Sequence, residues 1–287
     1  MKRAAPCKVN LALDILGRRE DGYHDMRMVM QTVSLCDMVS LEEAERGFRL
    51  ESDFVPAGKV TLEQQAAEAF FAEIGRPMPG LRVRLDKRTP AYAGLGGGSA
   101  DVAALLRILR ERYAPDLPEK ILERIGFSVG SDMPFCVRGG TALAEGRGEV
   151  LTDLPPLPDC FLVLCKPDFG IPTGSLFARV DGGELRCRPD IDGMQKALTE
   201  GDLDGVAARL GNVFEQVLPP EYGEVFAIRK RLRELGALNA AMSGSGPTVF
   251  GLFREEETAG VAAEALGRQY AQTYLARPLT RTDVWRN

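Results

Sequence analysis

The chain has 287 residues, 45% hydrophobic and 27% charged, the balance of a soluble globular protein of about two domains. Its net charge of −5 argues against nonspecific nucleic-acid binding, which needs a surplus of Lys and Arg, so an anionic ligand must be held by local groups. A single histidine excludes a multi-histidine metal site, and six cysteines without a C-x-x-C pair read as buried free thiols of a reducing compartment.

No signal peptide is recognisable and no apolar run approaches the ~20 residues of a membrane span, so the expectation is a cytoplasmic protein without membrane contact. Along the chain, Val9, Leu11, Leu13 and Ile15 alternate with Lys8, Asn10, Ala12 and Asp14. This predicts a strand whose polar face projects Lys8 and Asn10 together, and periodicity alone fits a solvated edge. A turn over 17–22 follows, with Tyr23 and His24 at its exit. They are either a packed ring beside a satisfied imidazole or a base-stacking ring with a hydrogen-bonding partner. Strands are expected over 27–33 and 38–42, then a helix over 62–71.

Leu81-Arg82-Val83-Arg84-Leu85 alternates as a half-buried strand, and Val102, Leu105, Leu106, Leu109 and Tyr113 recur at helical spacing. Between them stands Ala93-Gly94-Leu95-Gly96-Gly97-Gly98-Ser99-Ala100-Asp101. Glycine lets the backbone approach a ligand, and a helix start offers unpaired N–H groups and a positive dipole end. The stretch reads as a phosphate cradle. It is neither a Walker P-loop nor a Rossmann fingerprint, because no G-x-x-x-x-G-K-[ST] occurs and Ser99 stands where the last Rossmann glycine would be.

A helix over 118–125 follows, with Asp116 as its cap and Gly126 as its stop. Asp132, in a loop just ahead of Pro134, is by local sequence a helix cap. Glu145-Gly146-Arg147-Gly148 suggests a hairpin that closes a first domain, and Leu154-Pro155-Pro156-Leu157-Pro158 marks a boundary, giving domains 1–153 and 154–287. The second half predicts a strand over 161–165 and helices over 194–199, 203–217 and 222–235. A second glycine loop, Ser243-Gly244-Ser245-Gly246-Pro247, leads into a strand over 248–253, a helix over 255–268 and a last strand over 273–275. Without strict βαβ alternation the class is α+β.

Five segments occur in one order: Pro6-Cys7-Lys8-Val9-Asn10-Leu11, Gly17–His24, Gly94–Ser99, Gly130-Ser131-Asp132-Met133-Pro134-Phe135 and Ser243–Pro247. Together they resemble the GHMP kinase superfamily. The resemblance implies an N-terminal domain like a small-subunit ribosomal protein, a ferredoxin-like C-terminal domain and an active site between them. It implies ATP- and magnesium-dependent phosphorylation of the 2-hydroxyl of 4-diphosphocytidyl-2-C-methyl-D-erythritol, a cytidine diphosphate-linked acceptor of the non-mevalonate isoprenoid route. The expected state is a monomer or weak homodimer, with no nucleic-acid partner.

Family roles fall on matching positions. Asp132 becomes the general base, with Lys8 beside it to offset charge on the transferring phosphoryl group. Asn10 would bond the methylerythritol portion, Tyr23 and Phe177 would sandwich the cytosine, and His24 would bond its edge. Thr173 belongs to the substrate side. Gly94, Leu95, Gly96, Gly97, Gly98 and Ser99 would hold the ATP phosphates, and Gly244 and Ser245 would lie near the substrate phosphates. No residue is assigned as a metal ligand. Departures are Ala100-Asp101, where a second serine and an asparagine are usual, and Thr61-Leu62-Glu63, where Asn-Leu-Val is usual; Asp101 is a candidate to place magnesium through water. Two alternatives stand beside this reading: a GHMP kinase for another small alcohol, and a catalytically impaired nucleotide sensor on the same fold.

Overall fold

The computed structural model describes residues 1–52 and 60–286. Its first half opens with two long strands, β1 (Lys2–Arg18) and β2 (His24–Ala44), then β3 (Phe48–Glu51), helix α1 (Leu62–Glu73) and β4 (Gly80–Asp86). Helices α2 (Gly97–Tyr113), α3 (Glu119–Val129) and α4 (Met133–Arg138) follow, and the hairpin of β5 (Thr141–Gly146) and β6 (Val150–Asp153) ends this half. The second half runs β7 (Phe161–Lys166), α5 (Thr173–Gly182), α6 (Ile191–Glu200), α7 (Leu203–Ala208), β8 (Gly211–Asn212), α8 (Glu224–Glu234), β9 (Asn239–Met242), β10 (Val249–Phe253), α9 (Glu256–Gly267), β11 (Gln272–Ala276) and α10 (Arg281–Arg286).

The first sheet has the order β3-β4-β2-β1-β8. β5 pairs with the N-terminal part of β2, next to the stretch that pairs with β4, and carries β6 on its far side. The second sheet is β11-β7-β10-β9, antiparallel throughout. The central strands of each sheet, β1 and β2 in the first and β7 and β10 in the second, are largely buried on both faces, while β4 exposes one side to solvent and β6 is mostly exposed. In the second sheet, Leu162, Leu164, Phe250 and Leu252 join a core with Val9, Leu11 and Val29 of the first sheet. Their strand neighbours Val163, Cys165, Val249 and Phe253 join another with the α8 and α9 residues Ile228, Leu232, Ala259 and Ala262. That alternation follows from the two-residue period of a strand. The helices α1–α4 cover the outer face of the first sheet, and the result is a helix–sheet–sheet–helix stack.

Several expectations change. β1 is an inner strand, paired with β2 on one side and β8 on the other, not a solvated edge. A register shift between Asn10 and Ala12 adds a residue to β1 and splits the predicted apolar stripe. Val9 and Leu11 face the core between the sheets, while Leu13 and Ile15 face the α2 side. The bulge thus brings Lys8, Asn10 and Leu13 to one face. The helix expected over 203–217 stops at Ala208, because Asn212 is drawn into pairing with β1. Gly126 does not stop α3. It lies inside the helix, where an added Cβ would come within 3.1 Å of the Met133 Cβ, so it serves close packing of α3 on α4. Asp116 caps nothing; Pro118 stands at that helix start.

The proline-rich segment separates β6 from β7, yet the second half returns to the first twice. β8 extends the first sheet, and α10 docks beside α2 and α4, where Arg3 Nη1 donates to the Trp285 carbonyl at 3.1 Å. All six cysteines are free; Cys7, Cys136, Cys160 and Cys165 are buried, Cys36 half-buried and Cys187 exposed. Among the described residues, no helix is long and apolar enough to cross a membrane.

Candidate active site

A cavity of about 540 Å³ opens between the halves. Its floor is the polar face of β1. Lys8, with a side chain 5% exposed, donates from Nζ to Asn10 Oδ1 at 2.7 Å and pairs with Asp132 Oδ2 at 3.2 Å. Asp132 stands at the start of α4 but makes no capping bond, which leaves its carboxylate to the cavity. The two residues are 124 positions apart in sequence and meet because α4 packs back against β1.

Two glycine loops close over this pair. Gly94 and Gly96 adopt left-handed φ of 74° and 66°, and a Cβ on Gly96 would come within 3.1 Å of Lys8 Cε. A Cβ on Gly94 would lie 2.1 Å from the Ser243 carbonyl, so the loops touch backbone to backbone. Ser243 Oγ donates to the Gly94 carbonyl at 2.9 Å and accepts from the Asn10 N–H at 3.3 Å. Asn212 donates to the carbonyls of Met242 at 2.8 Å and Gly244 at 2.7 Å, and so fixes the second loop from behind. The first loop is pinned to β1 by the Lys8 N–H, which donates to the Leu95 carbonyl at 2.9 Å.

Gly96 is the N-cap of α2 and no side chain caps this helix end. The N–H groups of its first turn, Gly97, Gly98 and Ser99, are therefore open to an anion, and the helix dipole adds to the attraction. An added Cβ on Gly98 would meet only open space. Leu95 instead turns inward and is buried.

The rest of the wall is aromatic and polar. Tyr23 and His24 enter from the β1–β2 turn, and Thr173 and Phe177 from α5. Phe177 stacks on the His24 ring at 4.5 Å and 20°, and meets Phe214 edge-on at 5.0 Å. His24 Nε2 shares a hydrogen bond of 2.7 Å with Asp181. The Thr173 and Ser245 hydroxyls are 2.8 Å apart and hydrogen-bonded. The guanidinium of Arg147 lies over the Tyr23 ring, 3.5 Å from its centroid. Of the sequence-predicted residues, Lys8, Asn10, Tyr23, His24, Gly94, Gly96, Asp132, Thr173, Phe177, Gly244 and Ser245 line this one cavity, whereas Leu95, Gly97, Gly98 and Ser99 are not part of its lining. Each aromatic also has a protein partner: Phe177 has His24, and Tyr23 has Arg147.

Asp101 is placed otherwise than expected. It points away from the cavity into a buried cluster, where Lys87 bonds it at 2.5 Å and also bonds Asp37. Asp37 Oδ1 accepts the N–H groups of Arg88 and Thr89, both at 2.6 Å, and a Cβ on Gly97 would come within 2.9 Å of Thr89 Cγ2. The cluster therefore buttresses the first turn of α2. Burial, against the pull of Lys87 and with repulsion from Asp37 and Glu63, pushes the Asp101 carboxyl up to about 8. Burial lowers the Lys87 ammonium, but its contacts with Asp101 and Asp37 outweigh that and leave it raised. Thr61 serves the backbone too; its hydroxyl accepts the Gln64 N–H at 3.2 Å as the cap of α1. Asp181, Asn212, Lys87 and Asp37 were not singled out in the sequence. Each owes its role to a partner at least 14 positions away, and no local motif marks them.

Comparison with known proteins gives a consistent picture. Residues 61–140 match the model of the GHMP kinases N-terminal domain, and residues 194–272 that of the GHMP kinases C-terminal domain. A protein of Clostridium tetani named 4-diphosphocytidyl-2-C-methyl-D-erythritol kinase is 39% identical over 97% of this chain and 100% of its own length. One of the same name from Lachnospira eligens is 40% identical over 98% of this chain and 97% of its own. The crystal structure of a 4-(cytidine 5'-diphospho)-2C-methyl-D-erythritol kinase superposes with a TM-score of 0.82 at 33% identity, covering 97% of this chain and 99% of that one. At the level of fold alone, the crystal structure of L. major mevalonate kinase in complex with R-mevalonate gives a TM-score of 0.75 at 17% identity, over 98% of this chain and 96% of that one.

Proposed function

The chain belongs to the GHMP kinase family, and on that premise we propose that it transfers the γ-phosphoryl group of ATP to the 2-hydroxyl of 4-diphosphocytidyl-2-C-methyl-D-erythritol, in the formation of isoprenoid precursors. It is a small-molecule kinase, and ATP is its phosphoryl donor. The observation that carries the assignment of roles is the Lys8–Asp132 pair at 3.2 Å, set beneath the junction of the two glycine loops.

Asp132 accepts the proton of the acceptor hydroxyl as its oxygen bonds to the γ-phosphorus and the bond to ADP breaks. Lys8, held by Asn10 and Asp132, keeps a fixed positive charge where the hydroxyl oxygen and the phosphoryl group meet. The open N–H groups at the start of α2 take the donor's phosphates. Transfer is direct, because no histidine other than His24 exists and the buried thiols of Cys7 and Cys136 are pushed well up by burial, Cys136 to about 12.

Among the described residues no three His, Cys, Asp or Glu side chains stand together as a metal cage. Magnesium would be carried on the nucleotide phosphates, and the Ser99 hydroxyl in the uncapped first turn of α2 is the protein oxygen that would hold it, since this ion keeps much of its water and prefers phosphate oxygens. When bound, the ion offsets charge on the β- and γ-phosphates.

The test is ADP release by the purified protein with ATP and magnesium, with and without the diphosphocytidyl acceptor. Substrate-dependent ADP is expected, and Asp132→Asn should lower kcat by roughly 10²–10⁴. Near-wild-type turnover by that variant would remove Asp132 from the role of base, and an acceptor-independent rate would remove the acceptor.

A further inference from the structure

Arg147 sits at the tip of the β5–β6 hairpin and is absorbed by none of the roles above. Gly146 and Gly148 on either side hold left-handed φ of 68° and 114°, and a Cβ on Gly148 would come within 3.2 Å of the Ser131 carbonyl, next to Asp132. The turn therefore has one shape, pressed against the catalytic end of α4. From it the Arg147 guanidinium extends over the Tyr23 ring at 3.5 Å, with the Phe127 ring 5.0 Å away, and it lines the cavity.

The charges lining the cavity leave this group exceptional. Lys8 is paired with Asp132, and His24 is bonded to Asp181. Arg147 has no ion-pair partner among the described residues, and its Nε is buried without a hydrogen-bond acceptor. The nearby Asp21 carboxylate feels its charge but is engaged by Arg19 at 3.2 Å and by the Tyr23 N–H at 3.1 Å. Aromatic contact occupies the flat faces of a guanidinium and leaves its N–H edges in plane, the geometry that takes two phosphate oxygens at once. A diphosphate entering this cavity brings about two negative charges, and Lys8 is held at the point of transfer by Asn10 and Asp132, which leaves the Arg147 guanidinium as the cation of the lining without an acidic partner among the described residues.

We propose that Arg147 is a specificity-determining residue that binds the diphosphate of the acceptor, so that the enzyme selects a nucleoside diphosphate-linked alcohol over an uncharged one. This rests on the function proposed above and names the group that reads the acceptor's charge. Stacking on Tyr23 holds the long side chain before the ligand arrives, which lowers the ordering cost of binding.

Calorimetric titration of the full chain with cytidine, CMP and CDP, for wild type, Arg147→Met and Arg147→Lys, tests it. A charge-assisted hydrogen bond of about 1.5–3 kcal/mol corresponds to a loss of roughly 10- to 100-fold, expected for CDP in Arg147→Met, with cytidine changed by less than about threefold. Arg147→Lys should recover part of the CDP affinity, and the kinetic loss should fall on the KM of the acceptor rather than on kcat. Equal weakening of cytidine and CDP would overturn the proposal and reduce Arg147 to a support for Tyr23. Unchanged CDP binding would overturn it outright. Wild-type protein that binds neither cytidine nor CDP would overturn the acceptor assignment itself and the proposal with it, an outcome separate from both.

Discussion

Asp101 illustrates how one residue's environment decides its chemistry. In the sequence it follows the phosphate loop and invites a metal role; in the fold it is 1% exposed and bonded to Lys87. Its carboxyl is raised from an ordinary 3.8 to about 8, so the folded chain holds that proton more tightly than the unfolded chain. Its contribution to stability is therefore full below the unfolded value and is lost as pH rises through the folded one. Asp101→Asn should flatten the dependence of Tm on pH between about 4 and 8 relative to wild type. Parallel Tm curves for the two proteins would show that the carboxyl does not titrate in this window.

At the scale of elements, the second glycine loop depends on a two-residue strand. β8 pairs in parallel with Ala12 and Leu13 of β1, and this places the Asn212 amide against the carbonyls of Met242 and Gly244. Its own Oδ1 accepts the Phe214 N–H at 3.0 Å. Asn212→Ala leaves three buried backbone groups without a partner, and the expected loss is about 2 kcal/mol in denaturant unfolding. Because Gly244 and Ser245 line the cavity, the acceptor's KM should rise with it. Unchanged unfolding would mean that β8 pairing alone holds the loop.

For the molecule as a whole, the C-terminal helix joins the halves. Trp285 lies over the guanidinium of Arg110 at 5.4 Å and near that of Arg107 at 5.8 Å, and its Nε1 donates to the Arg138 carbonyl at 3.3 Å. Arg107 is itself buried, lowered to about 10 by that burial, and donates to the carbonyls of Cys136 and Val137 at the end of α4. Arg281 adds ion pairs to Glu119 at 2.7 Å and Asp153 at 2.9 Å. Trp285→Ala removes the cover over Arg107 and should cost about 3 kcal/mol, lowering Tm by about 6 °C or more. A calorimetric Tm within a degree or so of wild type would show that α10 is dispensable.

The two glycine loops, the helix behind the first of them and the α+β class were legible in the amino-acid order. Lys8, Asn10, Tyr23, His24 and Asp132, which line one cavity, stood out only through the family resemblance and read locally as an edge strand, a packed ring and a helix cap. Glycine runs and apolar periods are written locally, and five motifs in one order carry a family with them. The order of residues left open how those pieces meet. The bulge between Asn10 and Ala12, the capture of Asn212 by β1, the turning of Asp101 toward Lys87 and the seating of Arg147 on Tyr23 each join residues far apart in the chain. Such contacts are selected by packing and by the cost of burying an unpaired charge or amide, which appear only once the sheets and helices have come together.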